Sequence, residues 1–197
     1  MQKGQDNESP SKLETSKIAD FVSEDKSEVS PAKSRGRLRL FLIIAALVVV
    51  LDQLTKLFIN SNRPQVTLLP GFLDLVYVEN TGAIFGFFHS HSEFFIALGI
   101  AGVIAILVFL RYFPPVTTLG AVSFALILSG AVGNLIDRIR FGYVIDFVSM
   151  HVQELFYWPA FNVADTALTV GILALIYYFY KSGVFRKAYE RNGKPRD

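Results

Sequence analysis

The chain has 197 residues, of which 52% are hydrophobic, and its formal net charge at neutral pH is only +2. A composition this apolar is unusual for a soluble domain of this size, and it predicts an integral membrane protein with one domain and polar tails. The absence of cysteine excludes disulfides, cysteine nucleophiles and thiolate metal sites, and basic residues that lie beside apolar runs argue against nucleic-acid binding.

The two ends of the chain are polar. Residues 1–34 are rich in Ser, Lys, Asp and Glu and cannot bury enough apolar surface to fold, so we predict a disordered N-terminal extension in the cytoplasm. Residues 182–197 form a basic tail, which is also predicted to be cytoplasmic. The structured domain is therefore expected to span residues 35–181.

Four apolar segments within this domain are long enough to cross a bilayer as helices. They lie at about residues 40–59, 94–110, 116–136 and 162–180. Lysines and arginines concentrate before the first segment and after the fourth, and Arg111 lies between the second and the third. The positive-inside rule then places both termini in the cytoplasm and the other two connections on the outer face.

The outer connections, residues 61–93 and 137–161, have the pattern of a small sheet. The stretches "VTLLPGFLDLVYVENTGAIFGFF" and "FGYVIDFVSM" contain many β-branched and aromatic residues in partial alternation, interrupted by glycine. The predicted fold is therefore mainly α, a membrane protein with four transmembrane helices, a small extracytoplasmic β-sheet that forms a cradle, and a loop.

Polar and charged residues gather at one end of the predicted helices. Nine of them lie at the outer helix ends or in the outer loops: Asp52, Lys56, Asn80, Asn134, Asp137, Arg138, Asp146, Asn162 and Asp165. Ionisable groups are costly at this depth, so these residues are functional candidates.

Some of these residues also have structural interpretations. The motif "NVAD" has the spacing of a capping box, in which Asn162 caps the helix and Asp165 reaches back to it. The sequence leaves open whether Asp165 has only this capping role or also a functional one. Asp52 and Lys56 are spaced i,i+4, and we favour the interpretation that they neutralise each other on one helix face.

Other residues near the third segment have similar alternatives. In one interpretation, Asp137 and Arg138 form an ion pair or an anchor at the membrane interface. In the other, Arg138 binds a lipid phosphate with its planar guanidinium. Gly130 and Gly133 are interpreted as contacts between packed helices.

The stretch "HSHSE" supplies His89, His91 and Glu93 as candidate metal ligands. The spacing is weak, and no further cluster of His or Cys supports it. We therefore expect no metal and no cofactor.

With no cysteine and few histidines, the chemistry available to the outer residues is that of carboxyl groups. Asp146 lies on a predicted strand, and Asp165 lies at the start of the fourth helix. If the segment between them folds back across the surface, the two aspartates can meet and share a proton. Such a pair can activate water for hydrolysis of an amide without a metal or a covalent intermediate.

Four blocks of the sequence resemble one known family. They are "DQLTK" (52–56), "ENTGAIFGFF" (79–88), "GNLIDRIRFGYVIDF" (133–147) and "FNVADTALTVG" (161–171). In this order and spacing, the chain resembles the bacterial lipoprotein signal peptidases, or signal peptidase II, which are four-span aspartic endopeptidases.

The resemblance implies a role for each matched residue. Asp146 and Asp165 match the catalytic aspartates of the family. Residues that match substrate-binding or supporting positions are Asn80, Gly82, Asn134, Arg138 and Asn162. The remaining polar residues match positions interpreted as structural: Asp52, Lys56 and Asp137.

The resemblance also implies a substrate and a location. The substrates are diacylglyceryl-modified prolipoproteins, cleaved before the lipidated cysteine. The enzyme is expected among the lipids of the inner membrane of a bacterial cell, with its active site at the outer face and with sensitivity to globomycin. Because a site built from one chain requires no partner subunit, we expect a monomer.

Two other functions are compatible with four spans and buried charge. A small transporter or channel subunit needs polar groups throughout the depth of the membrane, whereas here they gather at one side. A scaffold without enzymatic activity uses the polar residues only for helix assembly, so that neutralising either aspartate affects stability rather than turnover.

Overall fold

The computed structural model describes residues 31–82, 92–112, 117–152 and 155–182. In chain order, the elements are helix α1 (Pro31–Asn62), strands β1 (Val66–Leu69) and β2 (Leu73–Asn80), helices α2 (Ser92–Tyr112) and α3 (Thr118–Phe141), strands β3 (Val144–Val152) and β4 (Phe156–Tyr157), and helix α4 (Val163–Ser182). By its internal contacts the chain divides into residues 1–36 and 37–197, and every site residue below belongs to the second unit.

All four helices are long and apolar enough to cross a membrane. With the small sheet, they confirm the predicted fold, a mainly α multi-pass membrane protein. Helix α1 begins at Pro31, ahead of the predicted domain start at residue 35. The rest of the predicted N-terminal extension and nearly all of the C-terminal tail lie outside the described residues.

The third helix is longer than predicted. It continues to Phe141, so Asp137 and Arg138 lie in its last turns and not in an outer loop that begins at residue 137. The helix ends at Gly142, whose φ of +81° is left-handed and whose N–H donates to the Arg138 carbonyl at 2.9 Å. The prediction placed the end where the apolar run stops, but polar residues continue the helix until this glycine.

The four strands form one antiparallel sheet in the order β1-β2-β3-β4. The central pair is β2 and β3, in which Val78 lies opposite Asp146 and Asn80 lies opposite Val144. Phe161 then forms a bridge with Val148 of β3, with the N–H of each donating to the carbonyl of the other at 3.0 and 2.9 Å. This bridge brings the start of α4 beside β3.

Two buried apolar clusters hold these elements together. One lies between helices and contains Phe41 of α1 with Phe124 and Ala125 of α3. The other contains Ile59 from the end of α1 and Ile145 and Phe147 of β3, and it fixes the sheet against the helices.

Glycines of α3 allow a close approach of its neighbours, as predicted. A Cβ on Gly130 would collide with the carbonyl oxygen of Ala164, and a Cβ on Gly133 would lie 2.6 Å from Oδ2 of Asp52. Helix α3 therefore packs closely against α4 and against the polar part of α1.

Candidate active site

Asp146 is a buried acid within an apolar strand. Since side chains alternate along a strand, Asp146 points away from Ile145 and Phe147, which belong to the core under the sheet. Only 1% of its surface is exposed. The short connection through Gly142 places this strand directly after α3.

Asp165 is the third residue of α4, and its contacts with Asn162 form the predicted capping box. The N–H of Asp165 donates to Oδ1 of Asn162 at 2.9 Å, and the N–H of Asn162 donates to Oδ2 of Asp165 at 3.2 Å. The local interpretation is thus confirmed. It does not account for the whole environment, because the second carboxyl oxygen of Asp165 faces α3.

Asn162 also connects the two aspartates. Its side-chain Nδ2 donates to Oδ1 of Asp146 at 2.7 Å, while its backbone N–H contacts Asp165. One residue thus bridges a carboxyl group on β3 and a carboxyl group on α4. The chain achieves this convergence through the bridge of Phe161 to β3.

Two further asparagines complete the contacts of the aspartates. Asn80 of β2 donates to Oδ2 of Asp146 at 2.8 Å, and Asn134 of α3 donates to Oδ1 of Asp165 at 2.7 Å. Each of the four carboxyl oxygens therefore accepts one hydrogen bond from an amide. The lone pairs that remain on each carboxyl are available to a proton or a water molecule.

Burial raises the pKa of the Asp146 carboxyl from 3.8 to about 6. The hydrogen bonds from Asn80 and Asn162 oppose this rise, and the nearby charge of Asp165 adds to it. Asp165 is itself only half-buried. The two carboxyl groups thus occupy different environments, which favours the retention of a proton by Asp146.

Lys56 lies behind the aspartates, fully within the protein. The predicted contact with Asp52 is confirmed, with Nζ 3.0 Å from Oδ2, and Nζ lies equally close to Oδ2 of Asp137, at 2.9 Å. The exposed fractions of Lys56, Asp52 and Asp137 are 2%, 0% and 1%. Asp137 therefore forms its salt bridge with Lys56 and not with Arg138 as predicted, because the inward side of α3 directs it towards Lys56; Arg138 is attracted by the charge of Asp137 only at longer range.

Arg138 instead faces α2. Its guanidinium lies 5.7 Å from the centre of the Phe95 ring and is near enough to Asp165 and Asp146 for electrostatic attraction. Gly82 reaches the same ring, since a Cβ on this residue would lie 2.7 Å from Phe95, and its φ of +82° also favours glycine.

A groove of about 490 Å³ opens beside Asp165. Its wall is mostly apolar and aromatic and includes Phe72, Phe156, Trp158, Phe161 and Val170, with Asp165 as the carboxylate. A mostly apolar groove with a few polar groups at defined positions is the usual form of a ligand-binding site.

Only one of the three candidate metal ligands falls within the described part of the chain. His89 and His91 lie outside the described residues, and Glu93 lies in the first turn of α2. Among the described residues there is no group of three or more His, Asp or Glu side chains that could hold a metal ion.

Sequence reasoning missed Gln53. Its Nε2 donates to Oδ1 of Asp137 at 3.0 Å and to Oδ2 of Asp52 at 3.2 Å, so it joins the same two carboxylates as Lys56. The sequence did contain one indication of its importance, because Gln53 lies inside the block "DQLTK". The contact partners lie on different helices, and no local pattern predicts them.

The chain is similar to known proteins along most of its length. The family model described as signal peptidase (SPase) II matches residues 44–181. A lipoprotein signal peptidase of Syntrophotalea carbinolica is 42% identical over 159 residues, which is 78% of this chain and 98% of that protein. One of Thermodesulfovibrio yellowstonii is 46% identical over 136 residues, covering 66% of this chain and 88% of the relative.

Two solved structures, each described as a bacterial membrane enzyme and determined by the in meso method, are also similar. The first has a TM-score of 0.63 at 29% identity and covers 80% of this chain and 93% of the other. The second has a TM-score of 0.62 at 30% identity and covers 71% and 92%. The similarity thus includes both sequence and fold.

Proposed function

This chain belongs to the signal peptidase II family, and from that premise we propose that it removes the signal peptide from diacylglyceryl-modified prolipoproteins by cleaving before the lipidated cysteine. The reaction is hydrolysis of one amide bond by the pair Asp146 and Asp165. The observation that supports this assignment most strongly is the position of Asn162. Asn162 contacts both carboxyl groups, although Asp146 and Asp165 are far apart in the sequence.

In this mechanism one carboxyl is ionised and the other is protonated. Asp165, half-buried on the wall of the groove, takes a proton from water as that water attacks the scissile carbonyl. Asp146, whose buried carboxyl has a pKa raised to about 6, donates its proton to the carbonyl oxygen. Collapse of the tetrahedral intermediate then transfers a proton to the leaving nitrogen.

The surrounding polar residues hold the reacting groups. Asn134 and Asn162 fix the Asp165 carboxyl from two sides, and Asn80 fixes that of Asp146. Gly82 and Arg138, which meet at the ring of Phe95, contact the polar part of the substrate beside the scissile bond. The apolar groove receives an apolar part of the substrate, whose acyl chains remain in the lipid.

The site lies at the outer face of the inner membrane in this proposal. The lysine and arginines at the start of α1, before its apolar stretch, and the basic residues that follow α4 keep both termini in the cytoplasm. The polar residues lie at the end of α1, the end of α3 and the start of α4, which then face outward with the sheet. The enzyme acts as a monomer among membrane lipids, without a cofactor.

A transporter or channel subunit fits this arrangement less well. The buried charged side chains of the described residues are Asp52, Lys56, Asp137 and Asp146, and all lie near this one end. An ion pathway requires polar groups along its whole length.

The proposal is tested by incubation of the purified wild type with a diacylglyceryl prolipoprotein and, separately, with its unlipidated precursor. Gel shift and mass spectrometry identify the products. We expect cleavage of the lipidated substrate alone, with a product that begins at the lipidated cysteine. Asp146→Asn and Asp165→Asn should each lower kcat by about 10³-fold or more, since each removes an acid–base group.

Glu93→Gln is the matched control, because it neutralises an exposed carboxylate at the start of α2. It should cleave at the wild-type rate. Cleavage by Asp146→Asn or Asp165→Asn at the rate of this control would remove that aspartate from the mechanism. If the two variants lose thermal stability but not turnover per folded molecule, the scaffold alternative is favoured.

A further inference from the structure

Lys56 uses all of its donor capacity inside the protein. Its Nζ contacts Oδ2 of Asp52, Oδ2 of Asp137 and Oδ1 of Asn134 at distances of 3.0, 2.9 and 2.9 Å. An ammonium group has three N–H donors, so these three acceptors satisfy it completely. We refer to Asp52, Lys56 and Asp137 as the Lys56 cluster.

Each carboxylate of the cluster also accepts a backbone N–H from the residue directly before one of the two site aspartates. Oδ1 of Asp52 accepts from the N–H of Ala164 at 2.9 Å, and Ala164 precedes Asp165. Oδ2 of Asp137 accepts from the N–H of Ile145 at 3.1 Å, and Ile145 precedes Asp146. The cluster therefore connects the backbones of α4 and β3 at equivalent positions.

The third contact of Lys56 leads to the site through a side chain. Because Oδ1 of Asn134 accepts from Lys56 and from Nδ2 of Asn162, at 2.9 and 3.1 Å, its Nδ2 must point the other way. That Nδ2 donates to Oδ1 of Asp165. Lys56, together with Asn162, thus determines which end of the Asn134 amide faces the carboxyl.

We propose that Lys56 is a positioning residue of the reaction, which sets the separation and orientation of Asp146 and Asp165 through Ile145, Ala164 and Asn134. The proposal rests on the proposed function. It goes beyond a structural ion pair, because it assigns to Lys56 an effect on turnover in molecules that are folded.

The physical reason is the precision that a proton-sharing pair needs. The two aspartates lie on different elements, a strand and a helix, which are also joined by the bridge at Phe161 and by the contacts of Asn162. A misplacement of about 1 Å in a catalytic group is enough to lower a rate about 100-fold. Three fully buried, mutually satisfied side chains provide a rigid connection at this position.

The test separates positioning from stability with two variants. Lys56→Met keeps the side-chain length but leaves two buried carboxylates without their cation, so we expect a lower Tm and a kcat about 100-fold below that of the wild type. Lys56→Met/Asp137→Asn removes one of the two negative charges, and the amide introduced in place of Asp137 keeps an oxygen for the N–H of Ile145. The Tm of this double variant should recover towards that of the wild type.

Turnover should not recover with it. We expect kcat of Lys56→Met/Asp137→Asn to stay at least about 10-fold below wild type, with KM for the lipidated substrate within about 3-fold, since the link between the two elements is absent. Ser129→Ala is the control, because it removes a buried hydroxyl of α3 whose hydrogen bond stays within the helix. It should change kcat per folded molecule by less than about 2-fold.

Wild-type kcat in the double variant, at any Tm, would overturn the positioning role and leave the proposed function intact. So would a loss of activity in both Lys56 variants that only follows the folded fraction. Absence of cleavage by the wild type would overturn the proposed function and the positioning role together, and the two kinds of failure are therefore distinguishable.

Discussion

Helices α2 and α3 are both long enough to span a membrane, but they have opposite environments. In the described part of α2, no side chain of its most apolar stretch is buried, and leucines such as Leu98 and Leu107 are at least half exposed. In α3, more than half of the corresponding stretch is buried, and the buried residues of the helix include Ser129, Asn134 and Asp137.

The difference follows from lipid as the solvent. An apolar side chain gains nothing by leaving hydrocarbon, so α2 can keep its apolar residues on the outside. A polar side chain avoids a large cost by facing other protein groups, so α3 turns its polar residues inward and becomes the helix that the others surround. In this protein the buried helix, and not the most apolar one, contributes polar residues to the site, namely Asn134, Asp137 and Arg138.

The largest expected effect comes from the glycines of the two helices. Gly130→Leu in α3 places a side chain against the carbonyl of Ala164, so we expect loss of more than about 4 kcal/mol of stability or no folded protein. Gly102→Leu in α2 is the matched control, since nothing lies within 4 Å of its Cβ position. Fluorescence-detected size exclusion and Tm in detergent measure both. Equal effects of the two substitutions would contradict the comparison.

A smaller effect is expected for apolar truncations. Phe124→Ala in α3 opens a cavity in the cluster with Phe41, and large-to-small changes of this kind cost about 3–5 kcal/mol. Leu98→Ala in α2 removes a side chain that is 57% exposed, and it should change stability by less than about 1 kcal/mol. Reversible unfolding in mixed detergent micelles gives both values. A cost for Leu98→Ala as large as that for Phe124→Ala would place α2 inside the protein.

The smallest effect concerns pH and the polar region. Because the folded-state pKa of Asp146 is raised from 3.8 to about 6, its contribution to stability is present below pH 3.8 and is lost as pH rises through about 6. The loss is at most about 3 kcal/mol. The Asp146→Asn variant has no carboxyl at this position and so does not undergo this loss of stability. The Tm of the variant relative to that of the wild type should therefore rise between pH 4 and pH 7. If the Tm of the two proteins changed with pH in parallel, the raised pKa of Asp146 would be contradicted.

Much of the architecture was predictable, because it depends on local patterns. The four helices follow from apolar length, β2 and β3 follow from β-branched and aromatic residues, and the capping box follows from the spacing of "NVAD". The resemblance in four blocks is confirmed by the family match. The end of α3 was misplaced, because polar residues near a membrane boundary resemble a loop while the helix continues to Gly142.

The sequence by itself determined that this is a four-span membrane protein with acids at one end, since chain length, hydropathy and residue spacing are local properties. Tertiary structure alone decided which groups meet. Asn162 contacts both aspartates, and Lys56, not Arg138, contacts Asp137. Those contacts join residues on different elements, and their geometry depends on how closely α3 packs against α1 and α4, which no pattern of a single segment contains.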